Sequence, residues 1–392
     1  MIDPAKVSPK EPATILIVDD ARINRELLRM SLEKYGYRFI LATNGKEAME
    51  AVQNTPEVDL ILLDLLMPEM DGFAFLRWRN QHPQGQSIPV IVNSSLGDMD
   101  SITQALSMGS YDYFTKPLSK RELETVLPLK IHNAVTARRL MAETRRQNEI
   151  MRRELKMAAR YQKFLLPKHI DLPGVKVSYL FQPCSGVGGD YFDFIHLVGG
   201  QVGFVVADVS GHGVASAMTA SIIKALLPGY LRTYRSPAQA LIALNQDLMQ
   251  LTQEDSFVTA FAALYDPGEQ RLVWSLAGHP DPFFLGHQQQ GVQPLHQDTF
   301  FLGALDKSNP LVGYQDQAMS VNPGDRLAFY TDGLTEAANP QGQMYGPKRL
   351  AKLLGSTRDK DVDQVRDILQ QDLAGFVQGE FADDVAFILV EF

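Results

Sequence analysis

No glycine or proline interrupts the chain between Pro128 and Pro167. Arg, Glu, Lys, Met, Gln and Ala dominate this stretch, and these residues favour helix, so it predicts one long helix. Spacing by three and four residues defines one face of that helix, made of Ala134, Ala137, Met141, Thr144, Asn148, Met151, Leu155, Ala158, Gln162 and Leu165. This face is compatible with a paired coiled coil, and therefore a homodimer, or with a solitary signalling helix. We expect a linker helix over 128–166 with a folded region on either side.

Composition limits the classes of protein to consider. The chain has 392 residues, 45% of them apolar, which is enough for two or three domains with real cores. Its 37 basic and 46 acidic side chains give a net charge of -9, which argues against a nucleic-acid-binding or membrane-binding surface. The single cysteine, Cys184, excludes an intramolecular disulfide, and the first residues lack the apolar stretch of a signal peptide. We expect a cytoplasmic protein with a flexible lead-in over 1–12.

The region from 13 to 127 alternates short apolar runs with longer segments of helical period. The apolar runs cover 15–18, 39–41, 60–63, 90–92 and 111–114. This alternation is typical of parallel strands joined by crossover helices. We predict an α/β domain with a doubly wound five-stranded parallel sheet.

Charged and hydroxyl side chains follow the strands of this predicted sheet. Asp19 and Asp20 follow the first run, Asp64 the third, Ser94 the fourth and Lys116 the fifth. In an open parallel sheet the carboxyl ends of the strands form the ligand edge. Three carboxylates there need a divalent cation, and oxygen ligands favour Mg²⁺. Asp64 could then accept a phosphoryl group, with Lys116 neutralising the phosphoryl oxygens and Ser94 donating a hydrogen bond.

The segments LLDLLMPEMDG, VNSS and YDYFTKP, after the first Asp pair, resemble a response-regulator receiver domain. The resemblance implies that Asp64 is the phosphoacceptor and that Asp19, Asp20 and Asp64 hold Mg²⁺. It also implies a switch pair, Ser94 and Tyr113, and a cis proline after Lys116. The implied partner is a cognate histidine kinase or phosphotransfer protein.

From 167 to 392 the sequence pattern changes to β-branched and aromatic runs separated by glycine. Helical patterns occur in other segments of this region. Strands grouped apart from helices predict an α+β sandwich of packed sheets flanked by helices. Acidic residues again lie beside apolar strands, at Asp190, Asp208, Asp332, Asp383 and Asp384. Without a Cys or His cluster, these acids favour hard cations over zinc. Two such ions can activate water for phosphoryl displacement.

The segments VGGDYFD, VADVSGHG, YTDGLTEA and FADDVAF resemble metal-dependent PPM phosphatases of the bacterial SpoIIE/RsbU class. The preceding ELKMAARYQKFLLP resembles the entry segment of that class. The resemblance implies two Mn²⁺ or Mg²⁺ ions, with ligands at Asp190, Asp208, Asp332, Asp383 and the Val209 carbonyl. Asp384 and Asp193 are candidates for supporting roles beside those ligands. His212, between two glycines, is either a further supporting residue or a turn residue after the strand of Asp208.

Together these features predict a response regulator in which phosphorylation of Asp64 controls a protein serine/threonine phosphatase. The implied substrate is a phosphorylated anti-sigma-factor antagonist, or a sigma factor is the partner. The same overall plan also resembles RssB-type adaptors, which deliver a stationary-phase sigma factor to a protease without catalysis. Retention of the phosphatase acids favours the enzyme over the adaptor.

Overall fold

The computed structural model describes residues 12–392 except positions 56, 96–97, 168–171, 185–186, 212, 253–255, 289–290 and 307. The predicted lead-in over 1–12 therefore lies, apart from Pro12, outside the described residues. The chain forms two compact units, Met1–Ile150 and Met151–Phe392.

The first unit contains one parallel sheet of five strands in the order β2-β1-β3-β4-β5. The strands are β1 (Thr14–Val18), β2 (Arg38–Ala42), β3 (Val58–Asp64), β4 (Val90–Ser95) and β5 (Asp112–Lys116). The helices are α1 (Arg22–Glu33), α2 (Gly45–Asn54), α3 (Gly72–Gln81), α4 (Pro83–Gln86) and α5 (Met99–Ser107). The predicted doubly wound sheet is confirmed.

Both faces of this sheet are buried, which explains why its strands read as continuous apolar runs. Along β1, Ile15 and Ile17 pack into one core while Leu16 and Val18 pack into the other. The alternation follows from the two-residue period of a strand. Because all five strands are parallel, their carboxyl ends meet at one edge of the sheet, and the polar residues lie there.

The long helix α6 covers Leu127–Leu165 and follows a π-helical turn at Glu122–Val126. Its first turns belong to the first unit, because Ile131 and Val135 are buried in one of the two cores. Asp59 on β3 pairs with Arg138 at 3.3 Å and Arg139 at 3.1 Å. The predicted long helix is confirmed, and these contacts attach its beginning to the sheet.

The second unit contains two antiparallel sheets of five strands, ordered β13-β10-β9-β8-β7 and β12-β11-β14-β15-β6. The longer strands are β6 (Lys176–Gln182), β7 (Tyr191–His196), β8 (Val202–Val209), β9 (Val258–Asp266), β10 (Arg271–Ala277), β14 (Arg326–Tyr330) and β15 (Val385–Glu391). The short strands are β11 (Phe283–Leu285), β12 (Gln293–Pro294) and β13 (Gln317–Ser320). The helices are α7 (Val214–Tyr234), α8 (Pro237–Leu251), α9 (Asp332–Glu336), α10 (Pro347–Ser356) and α11 (Val362–Val377).

The two sheets face each other across an apolar core that includes Phe204, Phe261 and Phe329. Helices α7 and α8 cover the outer face of one sheet, and α10 and α11 cover the outer face of the other. Helix α7 is long and apolar enough to cross a membrane by length and composition alone, but its buried residues pack on the sheet. The predicted α+β sandwich flanked by helices is confirmed.

Candidate functional site

The carboxyl ends of β1 and β3 bring three acids together. One oxygen each of Asp19, Asp20 and Asp64 lies within 4.8 Å of the others, the only such acidic or metal-ligating set found in the described part of the chain. Asp19 and Asp64 are buried and Asp20 is exposed. The pocket is therefore open to solvent on the Asp20 side.

Lys116, at the end of β5, lies between two of these acids. Its Nζ is 2.7 Å from Asp19 Oδ2 and 2.6 Å from Asp64 Oδ2. Burial raises the pKa of Asp64, and the Lys116 ammonium offsets that effect only in part. Burial lowers the pKa of Lys116, but its hydrogen bonds to Asp19 and Asp64 outweigh this and raise it overall. The ammonium therefore stays charged beside the carboxylate that the sequence predicts as phosphoacceptor.

Two residues of α1 hold the Asp pair in place, and sequence reasoning missed both. Asn24 Nδ2 donates to Asp19 Oδ1 at 3.0 Å. The Arg25 guanidinium donates to the backbone carbonyls of Asp19 at 2.6 Å and Asp20 at 2.9 Å. Their position in the first turn of the helix after the Asp pair is the signal that could have found them.

The predicted switch residues lie on neighbouring strands. Ser94 on β4 is buried and pairs in register with Thr115 on β5, two residues after Tyr113. Tyr113 is half-buried, and Lys130 of α6 lies over its ring. The peptide bond between Lys116 and Pro117 is cis.

The first pocket fits Mg²⁺ by the chemistry of its donors. Its oxygen-only ligands are those that a hard cation prefers, and Asp20 leaves room for water and phosphate oxygens. Two cations, Lys116 and Arg25, face three carboxylates at this edge, so the pocket keeps a net negative charge. Asp19, Asp20 and Asp64 are the residues that would hold the ion.

A second group of acids lies at one end of the core between the two sheets of the second unit. Asp208 is near the end of β8, Asp332 opens α9, and Asp190 and Asp383 precede β7 and β15. The side chains of Asp190 and Asp332 lie within hydrogen-bonding reach of Asp208. The structure thus places acids from four separate segments near one another, although they are more widely spaced than Asp19, Asp20 and Asp64.

The electrostatics of this group show that its negative charges repel one another. Burial, followed by the charges of Asp332 and Asp383, raises the pKa of Asp208 to about 8. Burial and then the charge of Asp208 raise the pKa of Asp190 well above its usual value. Asp190 is buried and Asp208 and Asp332 are half-buried, and acids grouped in this way are stabilised by protons or cations. Bound divalent ions would restore the ionised form of these side chains.

Asp383 and Asp384 are adjacent but face different surroundings. Asp383 is exposed, whereas Asp384 is buried and accepts hydrogen bonds from the amides of Cys184 at 2.8 Å and Gly189 at 2.7 Å. A Cβ added at Gly188 would lie 1.9 Å from Asp384 Oδ2. Asp384 therefore holds the loop that leads into Asp190, whereas the Asp383 side chain lies on the exposed side.

Gly189 brings the loop before Asp190 against the end of β8. A Cβ at this position would lie 2.5 Å from the carbonyl oxygen of Val209. Only glycine permits this approach without displacing the backbone. The contact places the Val209 carbonyl beside the acids, where the resemblance expects a backbone ligand.

Thr331 links the two sheets at the acidic end and was missed by sequence reasoning. Its Oγ1 donates to Asp190 Oδ2 at 2.7 Å and accepts from the amide of Ala386 at 2.9 Å. The hydroxyl is fully buried. Its position directly before Asp332, at the end of an apolar strand, is the signal that could have identified it.

Gln162 of α6 contacts the same loop. It is 8% exposed, its Nε2 donates to the Gly188 carbonyl at 2.6 Å, and its Oε1 accepts from the Gly188 amide at 2.9 Å. Helical spacing placed Gln162 on the predicted pairing face of the helix. The structure instead buries this side chain against the loop before Asp190, because a buried amide needs polar partners.

The remaining predicted positions differ in outcome. Asp193 was expected beside the metal ligands, but its carboxylate contacts Lys224 Nζ at 2.6 Å and the Tyr191 hydroxyl at 2.9 Å. It is on β7, so its neighbours are set by that strand and by α7. His212 lies outside the described residues.

The second group fits divalent cations as well. The candidate donors are oxygens from Asp190, Asp208, Asp332, Asp383 and the Val209 carbonyl, and hard cations prefer such ligands. Burial and mutual repulsion raise the pKa of Asp190 and Asp208, and a bound cation would lower both again.

Comparison with known families supports a two-part chain. Residues 15–128 match the family described as response regulator receiver domain. Residues 198–392 match the family described as stage II sporulation protein E (SpoIIE). The two matched ranges contain the first and the second acidic group respectively, apart from Asp190, which precedes the second range.

Two curated relatives illustrate the similarity. Protein IcfG of Synechocystis sp. is 24% identical over 349 residues, covering 81% of this chain and 53% of that protein. A probable transcriptional regulatory protein of Picosynechococcus sp. is 36% identical over 126 residues, covering 30% of this chain and 48% of the relative. The chain thus spans about half the length of these relatives.

A solved structure shares the fold of the second unit. The SiaA-PP2C domain of Pseudomonas aeruginosa superposes with a TM-score of 0.56 at 20% identity. The superposition covers 63% of this chain and 98% of that domain. At this identity the likeness shows the fold alone.

Proposed function

Residues 15–128 of this chain are a response regulator receiver domain and residues 198–392 are a SpoIIE-type phosphatase domain, and from this pairing we propose a phosphorylation-controlled phosphatase. Phosphorylation of Asp64 controls metal-dependent hydrolysis of phosphoserine or phosphothreonine on a protein. The observation that carries the proposal is the cluster of Asp190, Asp208 and Asp332, because its members repel one another unless cations are bound.

The receiver pocket is arranged for phosphoryl transfer to Asp64. Lys116 already contacts the Asp64 carboxylate, so its ammonium can neutralise charge on the incoming phosphoryl group. Mg²⁺ held by Asp19, Asp20 and Asp64 would neutralise the phosphoryl oxygens. The phosphodonor is a histidine kinase or a phosphotransfer protein.

In the phosphatase, each residue has a separate task. Asp190, Asp208, Asp332, Asp383 and the Val209 carbonyl would hold two Mn²⁺ or Mg²⁺ ions, which lower the pKa of water and polarise the phosphate. Thr331 orients Asp190 through its 2.7 Å hydrogen bond. Asp384 fixes the loop before Asp190, so the ligands are already in place when substrate arrives.

The long helix α6 offers a route for regulation. Lys130 near its beginning contacts Tyr113 of the receiver, and Gln162 near its end contacts Gly188, two residues before Asp190. A shift of the helix that breaks the Gln162 hydrogen bonds would loosen that loop and so weaken metal binding. We propose that the long helix has two states, and that phosphorylation of Asp64 determines whether the contact between Gln162 and Gly188 is formed. The helix could also pair with a second copy.

The proposed substrate is a small protein of a sigma-factor partner-switching system, such as a phosphorylated anti-sigma-factor antagonist, in the cytoplasm. The combination of a receiver with a SpoIIE-type domain supports this choice. Protein IcfG, which aligns over most of this chain, covers both parts. An adaptor that binds sigma factor without hydrolysis would have no need for the acidic cluster.

Hydrolysis of a phosphoserine protein in Mn²⁺ tests the function. We expect turnover by the full chain that EDTA abolishes and that Asp208→Asn or Asp332→Asn reduces at least about 100-fold, as expected for loss of a metal ligand. Asp298 is exposed and lies outside these acidic segments, so Asp298→Asn is the matched control. No metal-dependent turnover, together with tight binding of a sigma factor, would instead establish the adaptor.

A further inference from the structure

His279 is a buried side chain that none of the steps proposed above uses. It lies two residues after β10 and is 6% exposed. Its Nδ1 is 2.8 Å from Thr259 Oγ1. Its Nε2 is buried and has no hydrogen-bond partner in the part of the chain that the structure describes. A buried imidazole with only one clear partner calls for an explanation.

Thr259 connects this imidazole to the acidic group. In the antiparallel pairing of β8 and β9, Thr259 is directly opposite Asp208. Residues opposite each other in such a pair project from the same face, with Cβ atoms about 5 Å apart. The Thr259 hydroxyl therefore lies between the His279 ring and the strand position of Asp208.

The backbone of Tyr330, on the other sheet, lies near the ring, although the buried Nε2 makes no hydrogen bond of normal geometry with it. Burial lowers the pKa of His279 to about 3, and a smaller opposing effect comes from the backbone of Tyr330. Tyr330 ends β14 and is followed by Thr331 and Asp332. The imidazole is therefore placed between the strand ends that carry Asp208 and Asp332, which belong to different sheets.

We propose that His279 is a positioning residue of the phosphatase metal site: its imidazole fixes the Thr259 hydroxyl beside the strand position of Asp208. This inference rests on the proposed metal-dependent function. The ring acts through the Thr259 hydroxyl, and it is not itself one of the proposed metal ligands.

The chemistry of a neutral imidazole suits this role. With a pKa of about 3, the ring carries no charge at physiological pH, so it does not compete with cations for the carboxylates. In a neutral ring one nitrogen donates a hydrogen bond and the other accepts one, so Nδ1 can pair with the Thr259 hydroxyl in either tautomer. Lysine at this position would place a positive charge beside the cluster and weaken cation binding.

Paired variants separate the hydrogen bond from the bulk of the ring. His279→Asn keeps a polar atom near the place of Nδ1, whereas His279→Leu keeps much of the volume and removes the hydrogen bond. Thr259→Ser keeps the hydroxyl, and Thr259→Val removes it while preserving the shape. The full chain is titrated with Mn²⁺ by calorimetry, and kcat and KM are measured on a phosphoserine protein.

We expect His279→Leu and Thr259→Val to weaken Mn²⁺ binding roughly 10-fold, the lower end of the effect of removing a group that orients a metal ligand. His279→Asn and Thr259→Ser should recover most of this loss. Because both residues act through one hydrogen bond, the double variant His279→Leu/Thr259→Val should be little worse than either single variant. kcat should fall in the same variants with KM nearly unchanged.

Unchanged Mn²⁺ affinity in Thr259→Val, or equal losses in His279→Asn and His279→Leu, would overturn the inference. If His279→Leu does not fold, Thr259→Val still decides, because it removes only a hydroxyl. Failure of the proposed function has a different signature: the unaltered chain would bind Mn²⁺ at the acids but would not hydrolyse any phosphoprotein.

Discussion

Lys130 of the long helix holds Tyr113 of the receiver sheet at two points. Its Nζ lies 5.2 Å from the centroid of the Tyr113 ring and 2.9 Å from the Tyr113 carbonyl oxygen. The same ammonium pairs with Asp112 at 2.6 Å. A tyrosine that turns inward must break the ring contact, so the first turns of the helix respond directly to the side chain predicted to switch.

Replacing Lys130 should uncouple the receiver from the phosphatase. In Lys130→Met, we expect the effect of beryllofluoride on phosphatase rate to shrink about fivefold, which corresponds to roughly 1 kcal/mol of coupling free energy. Phosphorylation of Asp64 by acetyl phosphate should proceed as before, because Lys130 does not contact the pocket acids. Exposed Lys120, which makes no ion pair with any described residue, provides the control Lys120→Met. A full beryllofluoride response in Lys130→Met would refute this role.

The other end of the helix should control metal binding. Gln162→Leu removes both hydrogen bonds to Gly188 and leaves two buried backbone groups unpaired. We expect Mn²⁺ affinity to fall roughly 10-fold and the beryllofluoride response to disappear. Gln147, an exposed glutamine of the same helix, allows the matched change Gln147→Leu. Equal Mn²⁺ affinities for the two variants would show that the Gly188 contact does not reach the metal site.

Gly189 should tolerate no side chain. In Gly189→Ala the new Cβ would meet the Val209 carbonyl at 2.5 Å, so we expect a loss of about 2 kcal/mol in the free energy of unfolding and impaired Mn²⁺ binding. Gly375, in the last turn of α11, has no atom within 4 Å of an added Cβ. Gly375→Ala should therefore stabilise the protein by about 0.5–1 kcal/mol. Urea unfolding of both variants measures the difference, and similar shifts would contradict the close approach.

The metal-free phosphatase should become less stable as the pH rises. The folded-state pKa of Asp208 is about 8, above its ordinary 3.8, so the protonated carboxyl favours folding. The protonated carboxyl of Asp208 contributes its full stabilisation below about pH 4, and this stabilisation is lost as the pH rises through 8. In EDTA, thermal unfolding should shift to lower temperature between pH 6 and 9, and Mn²⁺ should reverse the shift most strongly at high pH.

The variant Asp208→Asn tests whether Asp208 is the cause of this pH dependence. It should raise the stability of the metal-free protein at pH 9 by about 1–3 kcal/mol, because it removes a repelled buried charge. It should also abolish most of the stabilisation by Mn²⁺. Asp298→Asn serves as the exposed control. An identical pH dependence for Asp208→Asn and the unaltered chain would show that Asp208 does not carry this effect.

Much of the receiver site could be predicted because the topology of a parallel sheet determines which residues come together. In a parallel sheet every strand ends at the same edge, so Asp19, Asp64 and Lys116 must meet once the strands are recognised. The role of Lys130 could not be found this way. Its contact with Tyr113 depends on how the long helix packs, which no local pattern specifies.

The phosphatase site shows a different limit. The pair Asp383 and Asp384 reads as two equivalent acids, but strand alternation and the loop amides give them opposite environments. Asp193 is close to Asp190 along the chain yet pairs with Lys224, because α7 packs on that strand. The short strands β11 to β13 were missed since segments of two to four residues carry too little periodicity.

Phosphatase rate measured with and without beryllofluoride tests the central claim most directly. The full chain is assayed on a phosphoserine protein in Mn²⁺ and Mg²⁺, beside Asp64→Asn. We predict that beryllofluoride changes the rate of the unaltered chain by at least about fivefold, a coupling free energy of roughly 1 kcal/mol, and leaves Asp64→Asn unaffected. If the unaltered chain and Asp64→Asn have the same metal-dependent rate, each with and without beryllofluoride, control of the phosphatase by Asp64 is contradicted.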